Sequence, residues 1–454
     1  MLKRLDATRG NMLKAIFAFS IPLILATIAQ TLFDVADKAV LGHMAGNAAV
    51  AAVGATGAVT SLIINGAVGL STGTTIVLSR FWGQRDKEKI RSTIDTSLIT
   101  AIGFGIIVAI AGFFLSPMFL TITNCPDECF DGALLYIRIY LSAAPITLFY
   151  NYGSAVLRTT GDSRRPLLYI LAGGVVNVVL NVILCFVLYE KVAAVAIATV
   201  ASKLVSGLLV AKRLCSLEED YARVSIREMR FDLQSFVRIF RFGIPTAISN
   251  MVIPLGNLQI TSAINSYGVD AIAGNSAATS IHATVSAFSG GFSSATSIFM
   301  GQNIGAEKPE RVKKAFWYSA ALNVVITGVL GVLVFLSGEI WIGLIIGFDE
   351  ANAINYGMSR LSYVCLPVAV SAINASIGGA IQAFGYANIR SISNVAFNLG
   401  FRIIWMQLIY PLNQTFNMIM QCYLVSWLLN MAFYLVLFAV VYIRYMKFGI
   451  CKKV

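Results

Sequence analysis

The segment at residues 79–91, SRFWGQRDKEKIR, recurs in altered form at residues 301–313 as GQNIGAEKPERVK. A spacing of 222 residues pairs identical or similar side chains in the two segments: Gly83 with Gly305, Glu88 with Glu310, and Lys89 with Arg311. The same spacing pairs further positions: Arg138 with Arg360, Pro145 with Pro367, Gly46 with Gly268, and Gly69 with Gly291. With a slip of one residue it aligns FSIP at 19–22 with FGIP at 242–245. One fixed spacing over this much of the chain indicates an internal repeat.

The composition indicates an integral membrane protein. Of the 454 residues, 57% are hydrophobic and only 12% are charged, whereas soluble domains carry about 25% charged residues. The net charge of +12 comes from Lys and Arg in short segments between apolar runs. That distribution is typical of cytoplasmic loops, so it favours a membrane protein over a nucleic-acid-binding one.

A bilayer-spanning helix needs about 20 mostly apolar residues. Twelve stretches meet this requirement: residues 15–41, 47–78, 93–117, 131–157, 167–189, 192–213, 238–264, 270–301, 315–337, 353–382, 391–411 and 418–444. Basic segments between them (79–91, 158–166 and 305–314) alternate with acidic ones (123–131 and 347–352). Because cytoplasmic loops are enriched in Lys and Arg, we expect both termini in the cytoplasm of an all-α polytopic protein.

The repeat divides the twelve spans into two sets of six. Six is an even number, so both sets enter the bilayer from the same side and form parallel repeats, related by a pseudo-twofold axis along the membrane normal. We predict an N-lobe at residues 1–213, a cytoplasmic linker at 214–237 and a C-lobe at 238–454. Secondary transporters have this architecture, with a substrate path between the repeats. The sequence contains no phosphate-binding G-x-x-x-x-G-K-[ST] motif, so we expect an ion gradient to supply the energy, with no cofactor and no enzymatic activity.

The first span carries two carboxylates, in the stretch TLFDVADKAVLG at 31–42. Asp34 and Asp37 share one helix face with Gln30 and Thr31. A carboxylate at the bilayer centre costs roughly 2.5–3.5 kcal/mol, and such residues usually mark ion pathways. This polar stripe therefore predicts a proton or Na⁺ site. The alternative is that both aspartates lie at the outer interface, solvated and paired with Lys38.

Polar residues in later spans supply candidate partners for these carboxylates. Asn177 and Asn181 lie four residues apart in one span, and Thr199 and Lys203 do so in the next. Such residues can also hydrogen-bond between helices for packing alone. Lys203 lies too far from either end of its span to reach the interface easily, so we predict that it faces Asp37. Arg402 is equally deep, with no obvious acidic partner.

Several stretches together resemble the multidrug and toxic compound extrusion (MATE) transporters. They are TLFDVADKAVLGHMAG, SRFWGQRDKEK, LRTTGDSRRP, VAAVAIATVASK and IFMGQNIGAEKPERVKKA. The resemblance implies an antiporter that exports organic, cationic and amphipathic molecules against H⁺ or Na⁺ entry. It also implies an ion site in the N-lobe centred on Asp37, with Asn177 and Thr199 matching the family's polar residues there. Gln30 and Thr31 match a Gln-Thr pair near that site, and Asp34 stands where relatives often have Asn. It further implies that Pro22 is the hinge at which the first span bends.

The chain departs from the family pattern at three places. Relatives often carry Asp at the position of Asn181, and many carry Gln at that of Lys203. The C-lobe acids of another branch are absent from 245–263 and 361–382. A Lys203–Asp37 pair would take the place of a bound cation, which favours coupling to H⁺. If Asp34 replaces the missing carboxylate, Na⁺ binding at Asp37 stays open.

The sequence does not identify the substrate. Candidate cavity-lining residues are Tyr150, Asn151, Asn257, Asn374, Gln382 and Arg402, together with Gln30 and Thr31. We expect a monomer in the plasma membrane, or the inner membrane of a Gram-negative cell. A lipid-linked oligosaccharide flippase and a non-transporting receptor or scaffold stay open as alternatives. Cys125 and Cys129 are either a loop disulfide or two thiols.

Overall fold

The structure is a computed structural model that describes residues 5–122, 125–219 and 221–448. Within these ranges it describes every side chain except those at positions 34, 38, 39, 43, 45–48, 50, 51, 58, 253, 255, 258 and 448. The described chain is helical, with no strand in it. The predicted all-α class is therefore confirmed.

Seven helices make up the first half of the chain. They are α1 (Met12–Ala55), α2 (Gly57–Gln84), α3 (Lys87–Ile122), α4 (Asp127–Ser142), α5 (Ala144–Thr159), α6 (Arg164–Val187) and α7 (Lys191–Cys215). The second half contains nine: α8 (Leu233–Asn265), α9 (Val269–Gly305), α10 (Pro309–Leu336), α11 (Gly338–Ile346), α12 (Ala351–Val364), α13 (Val368–Ala383), α14 (Ala387–Val395), α15 (Phe401–Ile404) and α16 (Phe416–Phe448). Between α14 and α16, π-helical turns at Ala396–Gly400 and Trp405–Ile409 flank α15, and a 3₁₀ turn follows at Tyr410–Leu412.

The predicted boundary between the first two spans was wrong. Residues 42–46 were expected to form a loop, but α1 continues through them as far as Ala55. The stretch HMAGNAAVAAVGA is rich in alanine, the strongest helix former, and its isolated glycines lower helix stability without ending the helix. The chain turns instead at Thr56.

Two of the predicted spans are bent pairs of helices. The helices α4 and α5 meet at an angle of 47°, and α12 and α13 meet at 44°. Pro145 lies in the first turn of α5, and Pro367 immediately precedes α13. Proline lacks a backbone N–H and clashes with the preceding turn, so it bends or ends a helix. The two bends therefore follow from two prolines that the repeat spacing pairs.

The helices α8 and α9 differ in composition from the other long helices. Eight described helices are long and apolar enough to cross a membrane, or ten segments if each bent pair is one span. Although α8 and α9 have 33 and 37 residues, they are not among these. Apolar side chains such as Ile248 and Ile272 are exposed on these two helices, but each helix also exposes a polar set: Gln259, Ser262, Ser276, Thr279, Ser280 and Thr284. Such a face suits water better than lipid.

The repeat is visible in the backbone as well as in the sequence. Arg85 after α2 and Glu307 after α9 are 222 residues apart, and their φ angles are 57° and 55°. Left-handed residues of this kind end helices by returning the next N–H to an earlier carbonyl. Asp86 N donates to Phe81 O at 3.3 Å, and Lys308 N donates to Asn303 O at 2.9 Å. These two hydrogen bonds are themselves related by the spacing of 222.

The chain forms two compact units. One contains Leu25–Ala247, and the other contains Asp6–Ile24 with Ile248–Val454. Each unit thus includes the first part of an opening helix, α1 or α8, that continues in the other unit. In the first unit, a Cβ built on Gly69 would lie 2.3 Å from Ala247 Cα; in the second, one built on Gly291 would lie 2.5 Å from an Ile24 side-chain atom. The two glycines that the repeat spacing pairs therefore make equivalent close contacts. The lobe bounds predicted from the sequence stay a prediction.

Candidate functional site

Asp37 is the centre of a polar cluster in the first unit. Asn181 Nδ2 donates to Asp37 Oδ1 at 2.6 Å, and the Thr199 hydroxyl lies 3.5 Å from Asp37 Oδ2. Asn181 Nδ2 also lies 3.3 Å from Asn177 Oδ1. The structure thus brings together four of the predicted ion-site residues from α1, α6 and α7. Their role in coupling stays a prediction.

Close packing of α6 on α7 holds this cluster together. The spacing of four places Asn177 and Asn181 on one face of α6. On the same helix, a Cβ built on Gly173 would lie 2.7 Å from the backbone oxygen of Ser202 in α7. Only a residue without a side chain allows that approach, and it aligns the polar faces of the two helices. Thr199 and Asn177 are buried as a result.

One oxygen of the cluster has no hydrogen-bond donor among the described residues. Asn181 Oδ1 is buried without a partner, although its amide nitrogen serves two acceptors. An unpaired buried acceptor costs about 1–3 kcal/mol. This oxygen and the Asp37 carboxylate can accept hydrogen bonds from a proton donor, or they can coordinate a hard cation.

Lys203 lies on α7, one turn beyond Thr199, and is half-buried. Its Nζ lies 6.0 Å from the ring centroid of Tyr140, within the range of a cation–π interaction. The predicted pairing of Lys203 with Asp37 stays a prediction.

The other residues of the first-span stripe differ in what the structure describes. The side chain of Asp34, like that of Lys38, lies outside the described residues. Gln30 and Thr31 are exposed on α1, and the Thr31 hydroxyl donates to the Thr27 carbonyl at 3.2 Å. Pro22 is buried within α1, and its role as a hinge stays a prediction.

The candidate cavity residues occupy several different environments. Tyr150 donates from its hydroxyl to Pro166 O at 3.1 Å, and Asn151 donates to Thr147 O at 2.8 Å. These contacts join α5 to the start of α6 and to its own preceding turn. Asn374 and Gln382 are buried in α13. Lining of a cavity by any of these four residues stays a prediction.

Arg402 lies in the interior of the second unit and is 4% exposed. Its guanidinium donates to Asn257 Oδ1 at 2.9 Å, to Asn398 Oδ1 at 3.2 Å and to Ser426 Oγ at 3.3 Å. The guanidinium carbon lies 4.5 Å from the ring centroid of Tyr423. All these partners are neutral. The short helix α15 that carries Arg402 is flanked by two π-helical turns, which occur frequently at functional sites.

A second buried arginine, Arg360, is a residue that the sequence interpretation used only as a repeat marker. It is 6% exposed, donates to Asn275 Oδ1 at 2.6 Å and places its guanidinium carbon 5.0 Å from the Tyr423 ring centroid. One signal in the sequence could have found it. No Asp or Glu follows Glu350 in the chain, so no acid from that stretch is available to neutralise a buried cation there.

Cys125 and Cys129 are free thiols in the structure. Both sulfurs lie near the Pro126 carbonyl oxygen, at 3.8 Å and 3.5 Å. Of the two possibilities that the spacing left open, the structure has the two unlinked thiols.

A helical membrane protein of two parallel repeats, with ionisable side chains buried inside both units, is a multi-pass membrane transporter by class. The sequence profile of the MatE family matches residues 22–183 and again 245–406. The chain therefore belongs to the MatE family. Both ends of the second match lie 223 residues after those of the first, which confirms the internal repeat.

Similar proteins include transporters with different stated substrates. The probable multidrug resistance protein YpnP of Bacillus subtilis (strain 168) is 27% identical over 384 residues, 85% of each chain. The FAD transporter of Shewanella oneidensis is 26% identical over 321 residues, 69% of this chain and 70% of that one. A solved MOP superfamily transporter from Pyrococcus furiosus, described as having a binding pocket of reverse polarity that suggests a different function, has a TM-score of 0.86 at 23% identity, over 97% of this chain and 99% of its own. At that identity the likeness concerns the fold.

Proposed function

We propose that this protein exports amphipathic organic molecules in exchange for a cation that enters at Asp37. The observation that carries the proposal is the Asp37 carboxylate held at 2.6 Å by Asn181 Nδ2, beside the unpartnered Asn181 Oδ1. A half-buried carboxylate next to a buried acceptor oxygen that lacks a donor can take up a proton or a cation and release it again.

Charge neutralisation at Asp37 would drive the conformational change. A hydrogen bond to a charged group contributes about 1.5–3 kcal/mol, more than one between neutral groups. Protonation of Asp37 weakens its bonds to Asn181 and Thr199, and with them the hold of α6 and α7 on α1. A bound ion shifts the equilibrium between two conformations of the transporter whenever it interacts more favourably with one conformation than with the other. The proton is the first candidate ion because Lys203 and Asn181 replace groups that would favour Na⁺; Na⁺ is the second.

Several finer points belong to the same proposal. The family resemblance implies cationic amphipathic substrates, whereas FAD, named for one relative, carries an anionic diphosphate. We expect no cofactor, no enzymatic activity and a monomer in the plasma membrane with cytoplasmic termini. The flippase and scaffold alternatives are not favoured, since the similar proteins above are named as transporters or resistance proteins.

The test is dye efflux in everted membrane vesicles under a pH gradient and, separately, a Na⁺ gradient. Wild type is compared with Asp37→Asn and with Asp131→Asn, a matched control in which the same change is made at an exposed carboxylate of α4. We expect wild type and control to respond to one of the two gradients, and Asp37→Asn to respond to neither. Efflux that survives unchanged in Asp37→Asn would show that the coupling site lies elsewhere.

A further inference from the structure

We propose that Arg360 and Arg402 bind an anionic group, a carboxylate or a phosphate, on the transported molecule. The inference rests on the proposed transport function and specifies a substrate class for it: organic anions and zwitterions. It concerns the interior of the second unit alone, where α8, α9 and α16 contact Arg360 of α12 and Arg402 of α15.

The two positive charges are neighbours. Both guanidinium carbons lie within 5.0 Å of the ring centroid of Tyr423. Each is anchored on a different element, Arg360 by Asn275 of α9 and Arg402 by Asn257 of α8. Like charges in a buried environment repel, so this arrangement is stabilised when an anion binds between or beside them.

The second half of the chain offers no buried carboxylate to neutralise these arginines. After residue 231 its Asp and Glu residues are Asp232, Asp270, Glu307, Glu310, Glu339, Asp349 and Glu350, and none follows Glu350. None of these is buried. A single unpaired charge within a membrane protein is costly enough to mark function, and here two lie together.

The described structure also leaves polar atoms in this region without partners. Arg360 Nε is buried and has no acceptor, although its Nη1 donates to Asn275. A guanidinium presents a planar fork that matches the two oxygens of a carboxylate or phosphate. An anionic group would supply the acceptor that Arg360 Nε lacks. A cationic group would add a third positive charge.

A polar surface of the same unit leads to these residues. Asn275, the partner of Arg360, is half-buried on α9. Next to it and one turn further on, Ser276, Thr279 and Ser280 are exposed. This hydroxyl-rich face belongs to a helix that is not apolar enough to pass as a membrane span, so water and a polar solute can approach along it.

The first repeat supplies a matched control. Arg138 is the residue paired with Arg360 by the spacing of 222, and its guanidinium carbon lies 4.6 Å from the ring centroid of Phe113. Its Nε is likewise buried without a partner. In the same unit, however, Asp95 and Asp162 are buried carboxylates. Only the second repeat therefore combines two buried cations with the absence of a buried acid among its described residues.

The experiment measures binding of 5-carboxyfluorescein, an organic anion, to the full-length protein in neutral detergent by fluorescence polarisation. Wild type is compared with Arg360→Gln, Arg402→Gln, Arg402→Lys and Arg138→Gln. We expect each Gln variant at Arg360 or Arg402 to bind at least about tenfold more weakly, since hydrogen bonds to charged groups are lost. Arg402→Lys should recover part of the loss, and Arg138→Gln should bind as wild type does. Thermal unfolding identifies any variant that fails to fold. If Arg402→Gln fails, Arg360→Gln and Arg402→Lys carry the test; if Arg360→Gln fails, the two Arg402 variants carry it.

The outcomes separate this inference from the proposed function. Binding needs no gradient, so Asp37→Asn should bind the anion normally even if it transports nothing. Absence of anion binding to wild type, or equal binding by wild type and both Gln variants, would overturn the anion site while leaving cation-coupled transport intact. A further arm uses proteoliposomes of phosphatidylcholine. There, binding without gradient-driven movement of the probe would overturn the substrate assignment.

Discussion

A single methyl group on Gly274 tests whether the packing of α9 on α12 sets the position of Arg360. A Cβ at this position would lie 2.0 Å from the Ala353 carbonyl oxygen and 2.8 Å from Gly357 N, both backbone atoms of α12. Asn275 follows Gly274 directly, and Arg360 lies three residues after Gly357. The glycine contact therefore lies immediately beside the 2.6 Å hydrogen bond that anchors Arg360.

The magnitude follows from these distances. Ordinary Cβ contacts begin near 3.4 Å, so Gly274→Ala must push α9 and α12 apart by roughly 1 Å or more, an overpacking that costs about 1–3 kcal/mol. Alanine returns up to about 1 kcal/mol through its higher helix propensity. Loss of the bond between Arg360 and Asn275 adds about 1.5–3 kcal/mol. We expect a net loss of roughly 3 kcal/mol in the free energy of unfolding.

The assay is thermal unfolding of purified protein in detergent, followed by tryptophan fluorescence. Gly290→Ala is the matched control, because it makes the same change in the same helix where a Cβ meets nothing within 4 Å. We expect Gly274→Ala to unfold several degrees below wild type and Gly290→Ala to unfold at the same temperature or slightly higher. Equal unfolding temperatures for the two variants would refute the reasoning.

Two further predictions concern the first unit. Lys203→Gln removes the α7 cation that lies one turn beyond Thr199 of the ion cluster. We therefore expect efflux in vesicles to change its pH dependence or to become sensitive to Na⁺. An unchanged ion dependence would contradict a role of Lys203 in coupling. Asp232 caps α8, and the Ser235 side chain, followed by backbone N–H groups, lowers the pKa of its carboxyl to about 2. A lowered pKa stabilises the fold above the unfolded value of about 4 and loses that effect as the pH falls towards 2. Asp232→Ala should therefore cost about 1 kcal/mol at neutral pH, and its difference from wild type in thermal unfolding should shrink between pH 4 and pH 2; a constant difference would argue against the cap.

The helical architecture was predictable because its signals are strong and repeated. Long apolar runs define spans, and the same spacing carries both the sequence repeat and the paired backbone turns at Arg85 and Glu307. The prolines at 145 and 367 were visible as repeat markers, although the bends that they cause were not predicted. The end of α1 was misplaced because glycine and histidine within an alanine-rich stretch do not decide between a loop and a helix.

The candidate site was predictable in part. Asp37, Asn177, Asn181 and Thr199 were grouped from residue type and spacing, and the structure brings them together. Arg360 was not recognised as a partner of Arg402, since its place beside Tyr423 depends on how α12 crosses α9. That crossing is set by backbone approach at Gly274 and Gly357, which no periodicity in the sequence reveals. Contacts between distant elements are therefore what sequence reasoning missed.

The exchange of half-helices between the two compact units has a consequence for biosynthesis. Residues 6–24 leave the ribosome well before the rest of their unit, which begins only at Ile248. The other unit is complete only when the chain has been made as far as Ala247. Neither half of the duplicated chain can thus finish folding before translation has passed the midpoint. The opening segment of α1 must wait in the membrane for partners that are synthesised more than two hundred residues later.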